Sequence, residues 1–193
     1  MKKWYEYLWI VSITYLILGI FNILFGLIGI ICFITPLFIA IFQHDKAYCN
    51  KYCGRSRLFD ILGSKYKLSR NVKPPKFLSY PWFKYAFLIF FMSMFTIMIL
   101  GSIKVFKGAP LNQVVTLLWT FKLPWDWMNV SLVHPGVAQF SYGLYSVMLT
   151  SSLLGFVTMY LYRPRSWCSY CPMGTMTQGI CKIKESIESK NAA

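Results

Sequence analysis

Between Tyr7 and Gln43 the chain holds no charged side chain, and two further uncharged apolar runs follow, Tyr85 to Ile103 and Phe140 to Tyr162. The hydrocarbon core of a bilayer, about 30 Å thick, needs roughly 20 helical residues, and each of the two later runs meets that length. Their Ser, Thr and Gly residues suit close helix packing in lipid. The N-terminal run is too long for one straight crossing, because Tyr7 to Phe42 would make a helix of about 54 Å. Asn22, Gly26, Gly29 and Pro36 are the places where it can bend, giving either a tight hairpin or one long kinked helix. A removable leader after "MKKW" is the weaker reading, since the apolar run exceeds an ordinary signal core.

A chain with 56% hydrophobic and only 13% charged residues does not describe a soluble globule. The expected fold is an all-α integral membrane protein: a small helical bundle with two clear transmembrane helices, the N-terminal apolar segment, and short interfacial helices. It forms one membrane domain over 1–193, divided into 7–43, a basic segment 44–84, a span 85–103, an external segment 104–139, a span 140–162 and a basic segment 163–193. The net charge of +14 gathers beside the apolar runs, where anionic lipid headgroups are the natural neighbour, so nucleic acid is not an expected partner.

Ten Lys and Arg face one acid, Asp60, between Lys46 and Lys84, and five more follow the last apolar run, at Arg163, Arg165, Lys182, Lys184 and Lys190. The segment between the two clear spans has Lys104, Lys107 and Lys122. Basic loops stay inside, so 44–84 and 163–193 are expected at the cytoplasmic face of the cell membrane and 104–139 outside. With Lys2 and Lys3 inside as well, the hairpin and four membrane segments follow. The external segment, with Trp119, Trp125 and Trp127, reads as an amphipathic stretch in the headgroup layer.

Of six cysteines, Cys32 lies within an apolar run and behaves there as a small hydrophobe. The others fall in the basic segments "YCNKYCGRSR" and "RPRSWCSYCPMGTMTQGIC". These two halves are alike: a span ends, an aromatic precedes a Cys, a second Cys follows, and a Gly or Pro opens an amphipathic helix. If the halves pack about an approximate two-fold axis, Cys49, Cys53, Cys168 and Cys171 converge into a four-thiolate site. In a reducing cytosol such pairs are metal-binding or catalytic before they are structural disulfides. Four thiolates suit zinc or an iron–sulfur cluster. Pro172 directly after Cys171 matches the Cys-Pro ending of ferredoxin ligand runs, and a membrane surface suits an electron carrier better than a zinc staple.

On "YCNKYCGRSRLFD" and "SWCSYCPMGTMTQ", each after a transmembrane span, the chain resembles membrane-bound 4Fe-4S proteins of the polyferredoxin-like family. That family includes membrane ferredoxin subunits associated with periplasmic nitrate reductase and membrane regulators of nitrous oxide reductase. The resemblance runs from about Leu27 to Cys181. It departs from the family signature at Gly54, where Pro is usual, and in the two residues, rather than three, between Cys168 and Cys171. The resemblance implies one 4Fe-4S cluster and electron transfer between a membrane carrier, quinone or flavin, and another redox protein. Cys181 is the substitute ligand left open. Tyr48, Tyr52, Trp167 and Tyr170, beside the cysteines, are expected to wall such a cluster from water rather than to carry charge.

No Gly-rich phosphate cradle is present, and His44 and His134 fall on opposite faces of the expected topology, which argues against hydrolysis and bis-histidine haem. Two other classes remain. A membrane thiol-disulfide oxidoreductase would favour the spacing of "CSYC" but would work on the oxidising side; a zinc-stapled scaffold would hold zinc without iron.

Overall fold

The computed structural model describes residues 7–43, 49, 52–118, 120–124 and 133–191. It is mostly helical. In chain order come α1 (Leu8–Phe21), a 3-10 turn (Ile23–Ile28) leading into α2 (Gly29–Gln43), α3 (Gly54–Asp60), α4 (Pro81–Phe106), β1 (Val114–Leu117), β2 (Phe121–Pro124), α5 (Pro135–Leu161) and α6 (Pro172–Asn191). Ile23–Phe42, Pro81–Phe106 and Pro135–Leu161 are long and apolar enough to cross a membrane, whereas α1, with 14 residues, is shorter.

The two clear spans are longer than the uncharged runs because prolines, not charges, start the helices. Pro81 and Pro135 each take the first helical position, where a missing N–H costs nothing. Before α5, His134 caps the helix: its Nδ1 accepts from Gly136 N at 3.2 Å. At the far end of α4 the chain leaves through Gly108, whose φ of 101° only glycine adopts freely.

Contacts divide the chain into two compact units. One comprises Met1–Ser12, Cys32–Leu88 and Gly155–Ala193; the other comprises Ile13–Ile31 and Ile89–Leu154.

The second unit contains the turn of the N-terminal run. Asn22 is extended, and its side chain accepts from Leu24 N at 3.0 Å, ending α1 and opening the 3-10 turn. The Tyr15 hydroxyl then donates to Gly26 O at 3.3 Å. Eleven residues of straight helix would separate these groups by about 16 Å, so the run folds back on itself here. Gly19 and Gly26 leave room for α5: the Tyr145 ring fills the space beside Gly19, and the Tyr145 hydroxyl donates to Leu16 O at 2.9 Å. Ser141 and Ser146, buried on α5, satisfy their hydroxyls on Val137 O and Tyr142 O one turn back, as polar groups in an apolar bundle must.

This unit also departs from the all-α expectation. β1 and β2 pair antiparallel, Val114 opposite Pro124 and Leu117 opposite Phe121, with Val115 fully buried and Thr116 N donating to Ser146 Oγ at 3.0 Å. Part of the stretch read as lying in the headgroup layer is therefore a hairpin. Its turn places Leu118 at a φ of 51°, a conformation for which the sequence carries no Gly or Asn signal. Trp119, Trp125 and Trp127 lie outside the described residues.

The first unit carries both cysteine segments. α3 runs on into a π-turn, Ile61–Lys65, where Gly63 lies against Pro164. The chain then crosses the end of α5: Arg70 N and Asn71 N donate to the carbonyls of Tyr160 and Tyr162, both at 3.1 Å, and Ser69 Oγ donates to Tyr162 O as well. These bonds occupy carbonyls that a helix end leaves open. Both expected amphipathic helices form, the second as the 20-residue α6, longer than the short helix expected.

Candidate metal centre

Cys53 stands at the N-cap of α3 in an extended conformation (φ −72°, ψ 107°). Cys168 lies in a 3-10 turn, Ser166–Ser169, and Cys171 directly precedes Pro172, the first residue of α6. That turn is built locally: Arg163 N donates to Ser166 Oγ at 3.0 Å, and Cys171 N donates to Trp167 O at 3.1 Å. Cys49 and the second segment meet through Thr177, whose Oγ1 is 3.9 Å from Cys49 Sγ. In the opposite direction the Cys168 thiol donates to Ser56 Oγ, on α3, at 3.5 Å. Each cysteine segment thus places a hydroxyl against a thiol of the other.

The electrostatics show the same convergence. The Cys171 thiol is raised from 9.0 to about 12, chiefly by burial; a backbone bond with Gly174 opposes the rise, and Cys53, Cys168 and Cys49 each add to it. Burial also raises Cys168; the Ser56 bond and Arg165 oppose the rise, while Cys53 and Asp60 add to it. Cys53, Cys168 and Cys49 are thus each within electrostatic reach of Cys171. Cys49 and Cys168 line a cavity of ≈ 220 Å³ together with Ser56, Arg165, Ser169, Gly174, Thr175 and Gln178.

Two of the four aromatics expected to wall a cluster pack together beside the second cysteine pair. Trp167 and Tyr170 are buried, meet edge to face with centroids 5.0 Å apart, and both stand edge-on to Phe87, at 5.8 and 5.1 Å. Burial lifts Tyr170 to about 12, so its phenol stays neutral. Tyr48, like His44, lies outside the described residues.

Cys181 is buried on α6, and the helical rise carries it roughly 14 Å from Pro172. Cys32 comes within electrostatic reach of Cys53 and Arg55, a proximity that its place in an apolar run did not signal. Ser56 and Thr177 were likewise missed, since hydroxyl residues are too common in a single sequence to mark a site.

Among the described residues, no three His, Cys, Asp or Glu side chains lie close enough to hold one metal ion. A tetrahedral ion with sulfur bonds of about 2.3 Å draws its sulfurs to under about 4 Å of one another. A four-iron cluster is a larger body and keeps its thiolates further apart. Two thiols, Cys49 and Cys168, and a guanidinium line the cavity, with Cys53 within electrostatic reach of Cys171, and this arrangement suits the larger, anionic group.

Residues 25–73 and 146–188, a little under half of the chain, match the family model of a 4Fe-4S binding domain. The match supports a 4Fe-4S cluster as the cofactor. All six cysteines fall within the matched segments, and the iron–sulfur assignment carries an electron-transfer role with it. No curated protein and no solved structure matches the chain.

Proposed function

We propose that the chain is a membrane-bound electron carrier of the polyferredoxin-like kind, holding one 4Fe-4S cluster on Cys49, Cys53, Cys168 and Cys171. The observation that carries this reading is the meeting, around Cys171, of thiols from two segments that both match a cluster-binding domain. Such a cluster supplies one-electron transfer without bond making. The chain's own residues hold it and shield it: Trp167, Tyr170 and Phe87 keep water from one side, and Arg165 offsets negative charge at the cavity wall.

The distribution of bases supports a cytoplasmic location for both cysteine segments, with helices Ile23–Phe42, Pro81–Phe106 and Pro135–Leu161 in the bilayer. The electron partners are a quinone or flavin on the membrane side and a second redox protein. The deciding measurement is iron, acid-labile sulfide and zinc per chain, on protein extracted in detergent without oxygen. About four irons with matching sulfide is the expected result. Zinc without iron would make the chain a scaffold, and neither metal would hand the cysteine pairs to disulfide chemistry.

A further inference from the structure

Ser56 belongs to the first cysteine segment, yet its Oγ faces Cys168 of the second, at 3.5 Å. It is 4% exposed and lines the cavity. Among the described residues, Cys168 is the only hydrogen-bond partner of its side chain. With Cys168 as a thiol, the thiol donates and Ser56 accepts, so the serine's own proton is buried without use. A cysteine bound to iron is a thiolate, which accepts and cannot donate. The bond must then reverse, and the Ser56 proton gains its acceptor. Thr177 is not equivalent, because its hydroxyl already donates to Met173 O at 2.9 Å and Gly174 O at 3.1 Å.

We propose that Ser56 is a positioning residue of the cluster site, donating its hydroxyl proton to the Cys168 sulfur, bracing the two cysteine segments together and raising the reduction potential. The inference rests on the electron-carrier reading above. An electron delivered to the site adds negative charge that is shared with the ligand sulfurs, while no atom is gained or lost. A donor hydrogen bond therefore favours the reduced state over the oxidised one.

The test uses the full-length protein in detergent, titrated with dithionite under exclusion of oxygen and followed by electron paramagnetic resonance. Ser56→Ala should titrate at a lower potential than the natural protein with iron and sulfide per chain unchanged, and Ser56→Thr should return to the natural value. In D2O, the iron–cysteine stretching bands of the natural protein should shift, and those of Ser56→Ala should shift less. Full iron content with an unchanged potential in Ser56→Ala overturns the proposal and leaves the carrier reading intact. Should Ser56→Ala hold no iron, the natural protein decides alone: stretching bands that ignore D2O overturn the role of Ser56. A natural protein without iron overturns both readings.

Discussion

At the scale of single residues, the proposed four-thiolate site predicts a sharp division among the six cysteines. Cys53→Ser and Cys171→Ser should each remove the visible iron–sulfur absorbance and the bound iron. Cys181→Ser should keep both, because the rise of α6 carries that residue away from Pro172. Cys32→Ser should also keep them, although its closeness to Cys53 gives it a small effect on the potential. Retained absorbance in either of the first two variants would sink the ligand assignment. Acidity gives a second prediction. In iron-free protein the Cys171 thiol is raised from 9.0 to about 12, so folding favours its neutral form. That contribution is complete below pH 9 and is lost as pH rises towards 12, hence the iron-free protein should melt at a lower temperature at pH 10 than at pH 7. Iron-loaded protein, whose ligands are already thiolates, should show a smaller loss.

At the scale of elements, the packing of α3 accounts for Gly54, at which the proteins the sequence resembles usually carry Pro. A Cβ at Gly54 would meet Leu8 O at 2.7 Å and would also contact Ser12 Oγ, so the N-terminal helix reserves this position for glycine. The backbone carbonyl cannot swing aside as a flexible side chain would. Gly54→Pro, which restores the usual residue, should therefore destabilise the protein by about 1–3 kcal/mol, measured as a lowered melting temperature in detergent. A variant as stable as the natural protein would show that α1 does not press on α3. The same scale shows what the sequence made legible. Charge-free length located helices long and apolar enough to cross a membrane, and Pro81 and Pro135 explain why the ends of two of them lie beyond the uncharged runs. The β1–β2 hairpin was not legible, because Leu118 takes a left-handed conformation with no glycine or asparagine to announce it.

For the whole molecule, the distribution of charge predicts sidedness: reporters fused within 44–84 and at the C-terminus should both read as cytoplasmic, and a reporter near Gly108 as external. A reporter placing 44–84 outside would favour the thiol oxidoreductase instead. The likeness of the two cysteine segments was legible as a repeat of motifs. The crosswise contacts, Cys168 with Ser56 and Cys49 with Thr177, were not, since they depend on which side chains the fold brings face to face. Those contacts bear on how the protein is made. Cys53 leaves the ribosome well before Cys168, 115 positions later. At about 5–20 residues per second, that delay is roughly 6–23 s. If the centre is divided between the two segments as proposed, it cannot be charged with iron during that interval, and the first thiol pair has to stay reduced until its partners arrive.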